Sequence, residues 1–279
     1  MSLSPTQKKT PLLRRSATHH LEEPILLAEN LSVRYDGKLV LDDLSFHLHT
    51  GERVAVVGPN GAGKSTLFKV IAGVLSPTAG RLDVYGVQPG GHTCIGYVPQ
   101  RSQVDWNFPV TVADVVMMGR VGKLGIMRWP RPRDWKLVRQ ALADVGMADF
   151  IGRQINELSG GQQQRMFIAR ALAQEAELLL MDEPLTGLDL KSQQAIFDIL
   201  DELRRRNVTV MVATHDLDQA AEHFDRVMLL NRRLLGFGQP SQVFTAERLV
   251  EAYGGHLRLV HIASDVVALA DSCCNEGDE

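Results

Sequence analysis

The sequence predicts an α/β fold: a parallel sheet covered by helices on both faces, fronted by an antiparallel β subdomain and interrupted by an α-helical subdomain. Three observations predict it. Arg53–Val57, Leu178–Met181, Val208–Ala213 and Val227–Leu230 are short continuous apolar runs, as expected of strands buried on both faces. Helical spacing separates them, with Leu67, Val70, Ile71 and Val74 after the first run and Ala195, Ile196, Ile199 and Leu203 on one stripe of Ser192 to Leu203. A glycine-rich loop, Gly58-Pro59-Asn60-Gly61-Ala62-Gly63-Lys64-Ser65-Thr66, joins the first run to its helix.

Taken in order, Ile25 to Val33 and Val40 to Leu48 predict two strands, the second alternating through Val40, Asp42, Leu44, Phe46 and Leu48, with Asp36-Gly37 as the turn. After the loop and its helix, Gly80 to Gly86 and Ile95 to Val98 are short strands bounded by glycine and proline. The period then changes. Apolar residues recur at three and four from Thr111 to Gly119, Asp134 to Val145 and Gly160 to Ala173, so the middle third is helical. No internal repeat is present. The domain reading is a basic N-terminal arm at 1–24, one large domain at 25–255 with its helical subdomain at about 101–158, and an extension with an acidic tail at 256–279.

The 279 residues carry a net charge of −3, which provides no global basic field for nucleic acid. Three cysteines, Cys94 and the pair Cys273 and Cys274, offer neither a disulfide framework nor zinc spacing and suit a reducing compartment. No stretch reaches the roughly 18 apolar residues of a spanning helix. Lys8, Lys9, Arg14, Arg15, His19 and His20 make the N-terminal arm basic, either a solvated tail or a contact for anionic lipid.

The glycine loop is a phosphate cradle. Gly58, Gly61 and Gly63 let the backbone turn tightly and aim N–H groups at one point, and the helix start adds its dipole. Lys64 is placed to reach terminal phosphates, and the Ser65 hydroxyl to hold a Mg²⁺ that bridges them. Together with the flanking strand and helix the loop resembles the core of a P-loop NTPase. Asp182 and Glu183 end a buried strand at the carboxyl edge of the sheet, where Asp182 would hold Mg²⁺ and Glu183 would polarise a water.

Leu158-Ser159-Gly160-Gly161-Gln162 opens another helix with a hydroxyl, two glycines and free backbone N–H groups, a second place for an anion. With the motifs above, this stretch resembles the signature loop of the ATP-binding cassette (ABC) family, over residues 25 to 255. The resemblance implies ATP and Mg²⁺ as ligands. It makes Tyr35 the adenine-stacking aromatic, Gln100 the glutamine linking the metal site to a transporter partner, Asp189 a dimer contact and His215 a switch near the γ-phosphate. It implies a homodimer of cassettes in which each nucleotide lies between one chain's cradle and the other's Leu158–Gln162 loop. Leu185 departs from the small hydroxyl residue common in the family at its position.

The short separation between Lys64 and Ser159 leaves no room for the coiled-coil arms of chromosome-associated cassette ATPases, the alternative from another class. A transporter ATPase on the cytoplasmic face of a bacterial membrane is the expectation, working with an integral membrane permease. Val110, Val112, Val115, Val116, Met117 and Met118 suit either that interface or internal packing. Gln103-Val-Asp-Trp-Asn-Phe-Pro109, Val115 to Arg120 and Ala252 to His256 resemble the branch serving divalent-metal importers, manganese first, then zinc or iron. An extracytoplasmic binding protein would choose the ion. A haem or siderophore importer is the alternative within transport.

Overall fold

The computed structural model describes residues 24–35, 37–88, 94–124 and 129–254, with the backbone of 257–262 and 265–270. Strands β1 (Leu26–Tyr35) and β2 (Lys38–Leu48) pair antiparallel, so that Leu26, Leu31, Leu41, Leu44 and Leu48 are fully buried. The chain then runs through β3 (Arg53–Val57), the glycine loop and α1 (Lys64–Ile71) and returns as β4 (Ala79–Val84). Strand β4 pairs antiparallel with β1, completing a front sheet of order β2-β1-β4. Periodicity foresaw β4 as a strand but not its partner, because pairing across a helix leaves no local trace.

The second sheet contains β5 (Ile95–Val98), β6 (Leu178–Asp182), β7 (Thr209–Thr214), β8 (Arg226–Asn231) and β9 (Arg233–Gly238) besides β3. Its order is β5-β6-β7-β3-β8-β9, parallel except for the β8–β9 edge. The apolar runs are explained by a core on each face. Val54, Val56, Leu178 and Leu180 pack with α1 against the front sheet, while Ala55, Val57, Leu179 and Met181 face the helices opposite.

Between β5 and β6 lie α2 (Val112–Met118), α3 (Val121–Leu124), α4 (Pro132–Asp144) and α5 (Gly160–Ala173). Thr111 and Asp114 cap α2 reciprocally, and Pro132 opens α4, which is why these helices start where they do. The structure decides the open question at 110–118. Val112, Val115, Val116 and Met117 are buried in the core, and of the apolar side chains there only Met118 is largely exposed. For these four buried residues the pattern is packing within this chain, which the sequence left open because an amphipathic stripe does not say what covers it. Arg120, buried itself, pins this subdomain through Asp134 (3.1 Å), the Ala173 carbonyl (2.8 Å) and Glu175 (2.7 Å).

After β6 come α6 (Leu190–Arg205), α7 (Leu217–His223), α8 (Pro240–Val243) and α9 (Ala246–Tyr253), then an antiparallel hairpin of β10 (Leu257–Ile262) and β11 (Asp265–Ala270). Of these only α6 was read from the sequence, and β9 was missed as well. The arm at 1–23, Asp36 of the predicted turn and the Cys273-Cys274 tail lie outside the described residues. Among the described residues no helix is long and apolar enough to cross a membrane, and no cluster of three His, Cys, Asp or Glu could hold a metal.

Candidate active site

Local chemistry shapes the loop between β3 and α1. A Cβ at Gly58 would collide with the Leu230 carbonyl oxygen, and Gly63 sits at φ +100° with Leu41 Cδ2 only 2.5 Å from where a Cβ would lie. Both positions require glycine. The turn beyond β8 braces the loop, with the Arg232 N–H donating to the Ala62 carbonyl at 2.9 Å. Lys64 is buried, and its Nζ donates to the carbonyls of Gly58 (2.6 Å) and Pro59 (3.1 Å). Burial holds the ammonium below its ordinary pKa, against the pull of Glu183 and Asp182.

A pocket of about 470 Å³ opens over this loop, lined by Val40, Asn60 to Thr66, Gln100 and Glu183. The register explains the meeting. Asp182 pairs with Ala213 and Val57 with Thr214, so the ends of β3, β6 and β7 share one carboxyl edge. Asp182 is 2% exposed and accepts from the Ser65 hydroxyl and from Tyr97 Oη (3.5 Å). Burial pushes its carboxyl above the usual range, with the Ser65 hydrogen bond opposing. Glu183 lies in the left-handed region at φ +48°, a conformation costing on the order of 1 kcal/mol for a non-glycine residue. Its Oε2 accepts from Gln100 Nε2 at 3.2 Å and Thr186 Oγ1 at 3.5 Å. The hydroxyl and carboxylate of Ser65 and Asp182 are hard oxygen donors of the kind Mg²⁺ takes, so the residues present fit that ion.

The remaining predicted residues stand apart from the pocket. Tyr35 is 62% exposed at the end of β1, on the hairpin whose second strand brings Val40 to the pocket wall. His215 is exposed, one residue past β7. In the Leu158–Gln162 loop, Ser159 caps α5: its Oγ accepts from the Gln162 N–H at 3.4 Å, and Gln162 Oε1 accepts from the Ser159 N–H at 2.9 Å. The expectation of wholly free N–H groups there is therefore corrected, since the side chains that mark the helix start already hold two of them. Gly160 and Gly161 are hemmed in: a Cβ at Gly161 would lie 2.5 Å from Ser192 Oγ, whose hydroxyl donates to Asp189 (2.7 Å). Leu185 is buried beside the acidic pair and does not line the pocket.

Sequence reasoning missed Val40 and Tyr97. Val40 carries no signal, because only the packing of the front sheet brings it to the loop. Tyr97 carried a weak one, as a polar-tipped residue in a strand otherwise apolar.

A family model described as ABC transporter matches residues 41–186. The chain is 46% identical over 230 residues to the manganese transport system ATP-binding protein MntB of Bacillus subtilis, covering 82% of this chain and 92% of that one. It is 48% identical over 231 residues to the zinc transport system ATP-binding protein TroB of Treponema pallidum, covering 82% and 86%. In three dimensions it matches a solved structure described as a metal-chelate type ABC transporter in an inward-facing conformation, with TM-score 0.74, 30% identity, and 88% and 96% of the two chains covered. The family model spans the glycine loop and the acidic pair together, and on these matches the chain belongs to the ABC transporter family, as an ATP-hydrolysing subunit that works with a membrane permease.

Proposed function

We propose that this subunit powers import of a divalent metal ion, manganese first and otherwise zinc or iron, from the cytoplasmic face of a bacterial membrane. Support for the cargo comes from relatives that serve manganese and zinc. The binding protein that selects the ion would lie outside the membrane.

One observation carries the chemical reading: Gln100 and Glu183 meet at 3.2 Å on the wall of the pocket that the glycine loop lines. The backbone of Gly58 to Thr66 receives the phosphates, and Lys64 exchanges the Gly58 and Pro59 carbonyls for phosphate oxygens. Glu183 takes the proton of a water that Gln100 helps to place. The water oxygen bonds to the γ-phosphorus as the bond to the bridging oxygen breaks, leaving ADP and phosphate. Ser65, Asp182 and Gln100 are the residues to hold Mg²⁺, which when bound neutralises charge on the phosphate oxygens. Tyr35 stacks on adenine, and His215 faces the γ-phosphate.

Two chains assemble head to tail on binding ATP, each offering Leu158 to Gln162 to the other's nucleotide and meeting through Asp189. Hydrolysis removes the γ-phosphate contacts and reopens the pair. The domain spans 25–255, with the arm before it and the extension after it.

The test is elemental analysis of cells lacking this protein, grown in limiting metal, beside cells complemented with the intact chain or with Lys64→Ala. Selective loss of manganese restored only by the intact chain is expected. Loss of zinc or iron instead moves the cargo to that ion, and no change in any metal refutes metal import. In parallel, Glu183→Gln should bind ATP and hydrolyse it about 10²–10⁴-fold more slowly. An undiminished rate removes Glu183 as the base.

A further inference from the structure

Two short stretches lead from Glu183 to the same glycine, Gly160. One passes through Thr186 to Leu188, whose Cδ2 lies 3.1 Å from where a Cβ on Gly160 would stand. The other passes through Gln100 to Arg101. Arg101 Nε donates to Gln163 Oε1 at 2.7 Å, and Gln163 is buried near the start of α5, four residues after Ser159. Arg101 Nη1 lies 2.8 Å from the same Gly160 position, so the guanidinium covers the backbone of that loop. The stretch is also anchored at its far end. Trp106 Nε1 donates to the Arg101 carbonyl at 3.0 Å, and the Trp106 ring meets Phe167 of α5 edge-on at 5.7 Å between centroids.

Arg101 is exposed, so it does not fill the core. What it does is join two places: its own backbone continues from the residue on Glu183, and its head group rests on the first turn of α5. A planar guanidinium with donors in a fixed fork can hold Gln163 while lying against Gly160, which a flexible ammonium does less well.

We propose that Arg101 is a positioning residue that ties the hydrolytic end of one nucleotide site to the Leu158–Gln162 loop the same chain offers to its partner's nucleotide. The two sites of the dimer thereby close in register. This rests on the head-to-tail assembly proposed above. A shift of Gln100 as ATP is taken up moves Arg101, and Arg101 sets the place of Gly160 for the other site.

The experiment uses the full chain with ATP and Mg²⁺. Sedimentation velocity compares dimerisation of Glu183→Gln with that of Glu183→Gln/Arg101→Met, and steady-state hydrolysis compares the wild-type chain with Arg101→Met and Arg101→Lys. A fluorescent ATP analogue measures nucleotide affinity at concentrations where the chain is monomeric. Expected are single-chain affinity within twofold of the parent, a dimer dissociation constant weakened about tenfold because the Leu158–Gln162 loop of each chain must then be ordered on closure instead of beforehand, and kcat lowered with KM held. Arg101→Lys should recover part of both. A dimer constant and kcat unchanged in Arg101→Met overturn the proposal, as does a loss of single-chain affinity as large as the loss in dimerisation. If Glu183→Gln alone stays monomeric with ATP, the head-to-tail reading fails before Arg101 is touched.

Discussion

Gly161→Ala tests why the Leu158–Gln162 loop carries glycine at its second position. An added Cβ would stand 2.5 Å from Ser192 Oγ and 2.7 Å from Ser192 Cβ, about 1 Å inside ordinary contact distance. Ser192 cannot step aside cheaply, because its N–H and hydroxyl both donate to Asp189, at 3.0 and 2.7 Å, at the start of α6. Overpacking of this kind costs about 2 kcal/mol. For a domain of this size that is a fall of roughly 4–8 °C in melting temperature. Ser192→Gly removes both clashing atoms, so the double variant should recover much of the loss, with a coupling of about 1–2 kcal/mol. Thermal melting of the four chains, followed by ATP hydrolysis below the lowest transition, reads both effects. Strictly additive losses, or a Gly161→Ala chain that melts with the wild type, would refute the packing explanation and leave approach to nucleotide as the reason for the glycine.

Arg120→Met should destabilise the helical subdomain by about 3 kcal/mol, because it leaves Asp134 buried without its cation. The Arg131 N–H, and then Arg120, hold the Asp134 carboxyl below its ordinary pKa against burial. A depressed folded pKa contributes stability above the unfolded value near ~4 and loses it as pH falls through the folded one. The gap between wild type and Arg120→Met in urea unfolding should therefore be full at pH 7 and shrink on acidification; a gap independent of pH contradicts the pairing. Lys64→Ala should weaken ATP binding about 100-fold, measured by titration with a fluorescent analogue, through loss of a charge-assisted phosphate contact. Asp182→Asn should raise the Mg²⁺ concentration needed for half-maximal hydrolysis about tenfold or more, while chelation silences both chains. An unchanged Mg²⁺ requirement would remove Asp182 from the ion's ligands.

The chemical part of the site was legible because each motif is contiguous. Gly58 to Thr66, Asp182-Glu183 and Leu158 to Gln162 carry their local geometry within a few residues, since a glycine turn between strand and helix, a strand end and a helix cap are each made by neighbouring backbone. The strands of the parallel sheet were legible for a related reason: burial on both faces removes polar residues from the run itself. Val112 to Met117 were ambiguous, because an apolar stripe looks the same whether this chain or another covers it.

By itself, then, the sequence determined strands β1 to β8 and helices α1, α2, α4, α5 and α6, and it placed the glycine loop, the acidic pair and the second glycine loop at the ends of those elements. Tertiary structure alone decided that β4 crosses to pair with β1, that Val40 from the front sheet walls the pocket, and that Tyr97 stands on Asp182. It also decided that Arg101 bridges to α5 and that Ser192 closes on Gly161. The physical reason is range. Backbone geometry and helix capping act over three or four residues, whereas these contacts join positions tens of residues apart, and only the packing of β-sheets and helices into one core brings them within a hydrogen bond of each other.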